Sequence, residues 1–124
     1  MATQIPNNAA YILTSAGSVP ATALDKVFVA CDTSNGNQFL SSGHDLLVVH
    51  NLDSEAHPFY ISSAPDSDGR SVLVVYQVGA GLYSFVEIDT ASVFVQPNSN
   101  LVMLPSPSWG PLNSNIEFLV IMNA

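Results

Sequence analysis

The chain has 124 residues, enough for one domain with a buried core. Hydrophobic residues make up 48% of it and charged residues only 10%, well below the roughly 25% charged residues of a typical soluble domain. Much of the surface is therefore uncharged, or is covered by other subunits. Ten acidic residues against two basic ones give a net charge of -8. This balance argues against nucleic acid and anionic membranes as partners, because both require clustered Lys and Arg.

Residues 1–22 are predicted to form an extended N-terminal arm, and residues 23–124 a β-sandwich domain. The arm consists of small and polar residues, with two prolines and little periodicity. Its apolar centre contains Tyr11, Ile12 and Leu13, which we expect to become ordered on a neighbouring subunit. A disordered tail is the alternative. Because neither a signal peptide nor a run of about 20 apolar residues is visible, we expect a soluble product made in the cytoplasm.

The rest of the chain has the composition of β-strands. Short runs of Val, Ile, Phe and Tyr alternate with turn residues, and windows that favour helix are nearly absent. These runs predict about eight strands, at residues 26–31, 45–51, 57–64, 71–78, 81–88, 91–96, 100–105 and 116–123. The run at 45–51 carries apolar residues on both faces, which predicts a central strand covered on both sides. The run at 116–123 is long and almost wholly apolar, which predicts a central core strand. The predicted fold is all-β, an antiparallel β-sandwich or jelly roll.

Residues that commonly serve in catalysis do not form a recognisable arrangement. Cys31 has no basic neighbour to lower its pKa and is interpreted as a small buried hydrophobic residue. Lys26 is the sole lysine, and no Gly-x-Ser-x-Gly sequence is present. Glu87 and Glu117 fit solvent-facing positions, although a catalytic carboxylate pair depends on the fold and stays open. The sequence therefore predicts no enzymatic activity and no cofactor.

The three histidines lack the His-x-His spacing that a cupin-type metal site requires. His44 and His50 share one face of a strand, but six residues separate them by roughly 20 Å. His50 and His57 flank a short turn that also contains Glu55. We interpret both as exposed or hydrogen-bonded histidines at strand ends, and the sequence predicts no metal.

The stretch "APDSDGRS" contains the only arginine of the chain and resembles the start of a calcium loop. A distal Glu is missing, however, and Arg70 would oppose a cation beside Asp66 and Asp68. We therefore predict a turn between two strands in which the Asp side chains accept backbone N–H groups. Gly69 supplies a positive φ there, and Arg70 pairs with a carboxylate.

Trp109 lies in the Pro- and Gly-rich stretch "PSPSWGPLNS". A tryptophan in such a loop has three interpretations: a lid over one end of the sandwich, an anchor in a protein interface, or a platform for a sugar ring. The sequence leaves all three open.

Three stretches resemble, in their order and spacing, a family of small structural proteins of tailed bacteriophages. They are "ALDKVFVACDTSNGNQFLSSGHDLLVVHNLDSEAHPFYISSAPDSDGR", "YQVGAGLYSFVEI" and "FVQPNSNLVMLPS". The motifs that the chain shares with this family are a strand ending in "HN" before a turn, a loop ending in "GR", and an "AG-x-Y" turn before the next strand. The resemblance runs from about Ala23 to the C-terminus. The chain departs from it at Ser67 and Asp68, where the family tends to have Pro and an aromatic residue, and at "QPNSN", where a Trp-containing stretch is common.

The resemblance implies a capsid decoration protein with a β-sandwich or jelly-roll fold. Such a protein is a homotrimer on the outer surface of the virion head, where it binds the major capsid protein and stabilises the capsid. The residues we expect to take part in interactions are Tyr11, Ile12, Leu13, Asp66, Asp68, Arg70 and Trp109.

Two other functions stay open at this point. A head–tail or tail structural protein of a phage would share the composition and the fold. A glycan-binding module for host attachment would use Trp109, Tyr76 or Tyr83 as stacking platforms.

Overall fold

The computed structural model describes residues 2–5, 7–13, 28–41, 43–89, 93–97 and 99–123; at 7–13, 89, 122 and 123 it describes the backbone alone. Ten strands lie in these ranges: β1 Thr3–Gln4, β2 Asn7–Leu13, β3 Val29–Ala30, β4 Asn37–Leu40, β5 His44–Asn51, β6 His57–Ser62, β7 Leu73–Val78, β8 Tyr83–Asp89, β9 Leu101–Leu104 and β10 Ile116–Asn123. The all-β prediction is confirmed. Within the described parts of the chain, no helix has the length and hydropathy that crossing a membrane requires.

The larger sheet has the order β2, β10, β5, β8, and β3 also pairs with β10. β5 is antiparallel to both β10 and β8, whereas β2 is parallel to β10. β5 and β10 correspond to the two apolar runs at 45–51 and 116–123, so the prediction of two central strands is confirmed. Both faces of these strands are covered, because Val48 and Leu119 are buried on one face and Val49 and Phe118 on the other.

The opposing layer consists of a three-stranded sheet, in the order β1, β4, β9, and the hairpin of β6 and β7. β6 lies beside β9. One hydrophobic core joins this layer to the larger sheet and includes Phe39, Phe59, Leu47 and Phe118, all fully buried. Burial of each such side chain contributes about 1.5–3 kcal/mol. The fold is therefore a β-sandwich dominated by antiparallel pairing, while jelly-roll connectivity stays a prediction.

Some predicted strands differ in detail from the structure. β4, with the sequence "NQFL", was missed because it begins with two polar residues directly after the turn "DTSNG". The predicted strand at 91–96 is reduced, among residues 93–97, to one bridge between Val95 and Val102; residues 90–92 lie outside the description. β1 and β2 fall within the predicted arm and pair with β4 and β10 of the same chain. Residues 14–22 lie outside the described residues, so the arm stays a prediction.

Candidate functional site

The outer face of the larger sheet, opposite the core, carries three rows of side chains. Residues two apart on a strand share a face, and the register aligns every second residue of β8, β5 and β10. From β8 across β5 to β10, the rows are Tyr83, His50 and Glu117; Phe85, Val48 and Leu119; and Glu87, Leu46 and Ile121. This face is mainly apolar, with acidic groups at two of its corners.

Burial falls steeply across these rows, from the middle of the sheet to its edge. Leu119 and Ile121 on β10 and Val48 on β5 are buried. On β8, by contrast, Tyr83 is 52% exposed and Phe85 is 63% exposed. Glu87, next along the same face of β8, is exposed as well. We call Tyr83, Phe85 and Glu87 the exposed edge. It extends the covered apolar surface of the sheet into solvent, which is typical of interaction sites.

The first row holds the aromatic groups in fixed positions. The ring of His50 stacks on Tyr83, with centroids 4.0 Å apart and planes inclined by 6°. His50 Nδ1 lies 3.0 Å from Oε1 of Glu117, and Phe28 meets the histidine ring edge to face. Tyr83 in turn lies 6.4 Å from Phe85, centroid to centroid. The exposed edge therefore begins with a tyrosine ring that is already ordered, so little side-chain entropy is lost on binding there.

Asn51 fixes the chain at the beginning of β8. It is fully buried, and its amide nitrogen donates to the carbonyl oxygens of Glu55, Val78 and Gly79 at 2.7, 3.0 and 3.3 Å. Its side-chain oxygen accepts the N–H of Asp53 at 3.0 Å. One side chain thus joins the turn after β5 to the turn between β7 and β8. The motifs "HN" and "AG-x-Y", separate in sequence, meet around this residue.

The two histidines beside the turn after β5 both pair with carboxylates. His57 Nε2 lies 2.6 Å from Oδ2 of Asp53, and this hydrogen bond is the main cause that holds the pKa of Asp53 below its usual range. His50 pairs with Glu117 instead. The interpretation of both as hydrogen-bonded histidines at strand ends is confirmed. Over the described ranges, no three His, Cys, Asp or Glu residues are grouped as metal ligands would be.

The loop between β6 and β7 contains three of the predicted interaction residues. Asp66 Oδ1 accepts the backbone N–H groups of Asp68 and Arg70 at 2.9 and 3.0 Å, and Arg70 Nη2 donates to Asp68 Oδ2 at 2.9 Å. Gly69 has a φ of 78°. The backbone N–H of Arg70, above all, holds the pKa of Asp66 below its usual range. The predicted turn is confirmed in each of these details, and its charged groups bind one another.

Trp109 lies in the loop between β9 and β10 and is 70% exposed. Its ring meets the buried ring of Tyr60 edge to face, with centroids 5.5 Å apart. A Cβ atom at Gly110 would lie 2.6 Å from the Tyr60 hydroxyl, so a larger residue there would require the tyrosine side chain to shift. Because Tyr60 belongs to β6 of the opposing layer, Trp109 covers a different part of the sandwich from the exposed edge.

The other residues considered in the sequence analysis do not add to the exposed edge. Tyr11, Ile12 and Leu13 lie in β2, alongside β10, and their side chains are outside the description. Cys31 is half-buried and its Sγ donates to the carbonyl oxygen of Asn113 at 2.8 Å. Burial raises the pKa of this thiol to about 11, which disfavours the reactive thiolate. Tyr76 stacks on Phe59 against the core and is half-buried.

Sequence reasoning named Tyr83 as a possible stacking platform, and this residue is 52% exposed, but it did not identify the exposed edge as a whole. The run at 81–88 was predicted as a strand, and Glu87 as solvent-facing, but both faces of the run carry large hydrophobic residues. Tyr83 and Phe85 lie on one face of this strand, and Val86 and Ile88 lie on the other. Because both faces are hydrophobic, the sequence pattern does not indicate which of them packs against the core.

No protein-family model matches the chain, and no curated protein or solved structure is significantly similar to it. The resemblance to phage structural proteins therefore rests on the order and spacing of the short motifs alone.

Proposed function

We propose that this chain is a non-enzymatic structural protein of a phage virion that binds the outer surface of the capsid and stabilises the head. One observation carries the proposal: Tyr83 and Phe85 are more than half exposed at the end of an apolar sheet face. Aromatic residues are enriched in protein interfaces and supply much of their binding energy. The motif resemblance supplies the class of partner, the major capsid protein.

The composition supports a partner that is a protein surface. With 10% charged residues, the chain has few groups to desolvate when it docks on another protein. Leu52 and Leu82, in the turns next to the exposed edge, are also more than half exposed. Together they add apolar area at the same end of β8.

Stabilisation of the head follows from mass action. A protein that binds the assembled capsid more tightly than its disrupted forms shifts the equilibrium toward the assembled shell. In a homotrimer, each subunit would contact the next head to tail around a threefold axis. Three exposed edges would then face the capsid together, and simultaneous binding would raise the overall affinity.

Co-sedimentation with undecorated capsids tests the proposal. We expect saturable binding of the wild-type protein, and binding at least about tenfold weaker after Tyr83→Ser together with Phe85→Ser, because two aromatic anchors are lost. Val72→Ser is the matched control, since Val72 is 64% exposed but lies in the loop before β7. Absence of wild-type binding would refute the proposal. Equal loss in the control would show that general surface hydrophobicity, rather than the exposed edge, drives sedimentation.

Trp109 favours a second candidate, glycan binding for host attachment. An exposed indole held in place by Tyr60 and by a Pro- and Gly-rich loop is a suitable platform for the apolar face of a sugar ring. A glycan array with the wild-type protein and Trp109→Ala tests this. Signals that disappear in the variant would favour this second function over capsid binding.

A further inference from the structure

β8 is an edge strand of the larger sheet. It pairs with β5 on one side, and no other described strand pairs with it on the opposite side. Its seven residues form a long edge next to exposed aromatic side chains. Proteins commonly shield such an edge or use it to bind an added strand.

The pairing register determines which backbone groups of β8 face the open side. Asn51 lies opposite Leu82, one step beyond the pair of His50 and Tyr83, and its N–H donates to the Leu82 carbonyl at 3.1 Å. In an antiparallel pair, hydrogen-bonded and non-hydrogen-bonded positions alternate. Ser84, Val86 and Ile88 therefore bond to β5.

It follows that Tyr83, Phe85 and Glu87 direct their N–H and C=O groups away from β5. The residues of the exposed edge thus present both their side chains and their hydrogen-bonding backbone groups to solvent. A strand that pairs with β8 on this side could form backbone hydrogen bonds with these three residues and pack its own side chains against theirs.

Electrostatics restrict what kind of strand fits. Glu87 forms no ion pair with any described residue. Glu117, on the same face, has His50 as its one ion-pair partner among the residues that the structure describes. Arg70, the one arginine, already binds Asp66 and Asp68 in a different loop. A chain with a net charge of -8 therefore offers little positive charge to a second copy of itself.

We propose that the open side of β8 accepts an extended segment of the partner protein as an added strand. That segment carries apolar residues opposite Tyr83 and Phe85 and a Lys or Arg opposite Glu87. The identity of the partner as a capsid protein rests on the proposed function. The strand-addition site itself rests on the register, the exposure and the charge of β8.

A synthetic peptide provides a direct test, with the blocked sequence Thr-Val-Thr-Val-Thr-Lys-Thr as the probe. Hydrogen exchange of the full chain, followed by NMR, would be measured with and without peptide. At 90% saturation we expect exchange of the Tyr83, Phe85 and Glu87 amides to slow about tenfold, since only the free fraction exchanges. The Ser84 and Val86 amides, already bonded to β5, should change little. Uniform protection, or protection confined to β7 or to the Trp109 loop, would overturn the proposal.

Charge reversal tests the chemistry of the partner. Glu87→Lys changes an exposed side chain that forms no ion pair with any described residue. We expect the Lys peptide to bind this variant about twofold to fivefold more weakly, and a peptide with Glu in place of Lys to bind it correspondingly more tightly. An unchanged preference between the two peptides would refute the predicted Lys or Arg.

Two further outcomes separate this inference from the proposed function. If wild-type protein binds capsids and Glu87→Lys binds them equally well, the charged-strand inference fails while the function stands. If wild-type protein does not bind capsids but the peptide protects alternate amides of β8, the function fails and the strand site stands. Dimers in solution, with alternate amides already protected in the absence of peptide, would identify a second copy as the occupant and overturn the proposed partner.

Discussion

The loop between β6 and β7 and the exposed edge of β8 both present side chains to solvent, but they differ in what those side chains still have to bind. In the loop, Asp66 and Asp68 accept hydrogen bonds from neighbouring backbone and from Arg70. On β8, Phe85 is 63% exposed and the outward backbone groups have no strand beside them among the described residues. The charged groups of the loop thus bind one another, although their sequence motif is conspicuous. The outward backbone groups of β8, whose sequence is less conspicuous, remain available to a strand of another protein.

The first and largest test compares the two faces of the larger sheet. Phe118 on β10 is fully buried in the core, whereas Phe85 on β8 lies on the outer face. We expect Phe118→Ala to lower the free energy of unfolding by about 3–5 kcal/mol, because it leaves a cavity. The matched variant Phe85→Ala should lower it by less than about 1 kcal/mol. Urea denaturation monitored by circular dichroism measures both. A large loss for Phe85→Ala would show that this ring serves stability rather than binding.

The second test concerns the hydrogen bonds that hold the start of β8. Asn51→Ala removes a buried amide and leaves several carbonyl oxygens without their donor. We expect a loss of about 2–4 kcal/mol in the free energy of unfolding, since each unsatisfied buried group costs roughly 1–3 kcal/mol. Asn35→Ala, at an exposed turn position, is the control and should change it by less than about 0.5 kcal/mol. Equal effects would mean that Asn51 does not organise the two turns.

The third and smallest effect is expected in the loop between β6 and β7. The pKa of Asp66 is lowered chiefly by the backbone N–H of Arg70 and then by that of Asp68. Arg70→Ala keeps both N–H groups, so the pKa of Asp66 should stay below the usual 3.8. Carboxyl NMR titration measures it. A return to 3.8 would show that the guanidinium, rather than the backbone, stabilises the carboxylate.

The sign of the accompanying pH dependence follows from linkage. Because the pKa of Asp66 is lower in the folded state than in the unfolded state, its contribution to stability is fully present above the unfolded pKa. That contribution is lost as the pH falls through the folded pKa. Asp53, whose pKa is lowered by His57, behaves in the same direction. His57→Ala should therefore reduce the part of the stability loss at low pH that Asp53 causes. Urea denaturation near pH 2 and near pH 5 measures this, because the difference in the free energy of unfolding between the two pH values should be smaller in the variant.

Sequence patterns predicted local structure best where one strong physical preference dominates. The strands at 45–51 and 116–123 were identifiable because residues apolar on both faces require cover on both faces. The turn at Asp66 and Gly69 was identifiable because Asp side chains and a positive φ define its geometry locally. β4 was missed because its polar start, Asn37, is buried by tertiary packing, which a local pattern does not report.

The sequence by itself determined the all-β class, the two central strands, the turn at residues 66–70 and a surface with very little positive charge. Each of these depends on residue types acting alone or on near neighbours in the chain. Tertiary structure alone decided that β8 lies at an edge, that Asn51 joins two turns, and that Tyr83 and Phe85 face solvent. Strand order and pairing register arise from contacts between residues far apart in the chain, and an alternation with hydrophobic residues on both faces is compatible with either face meeting the core.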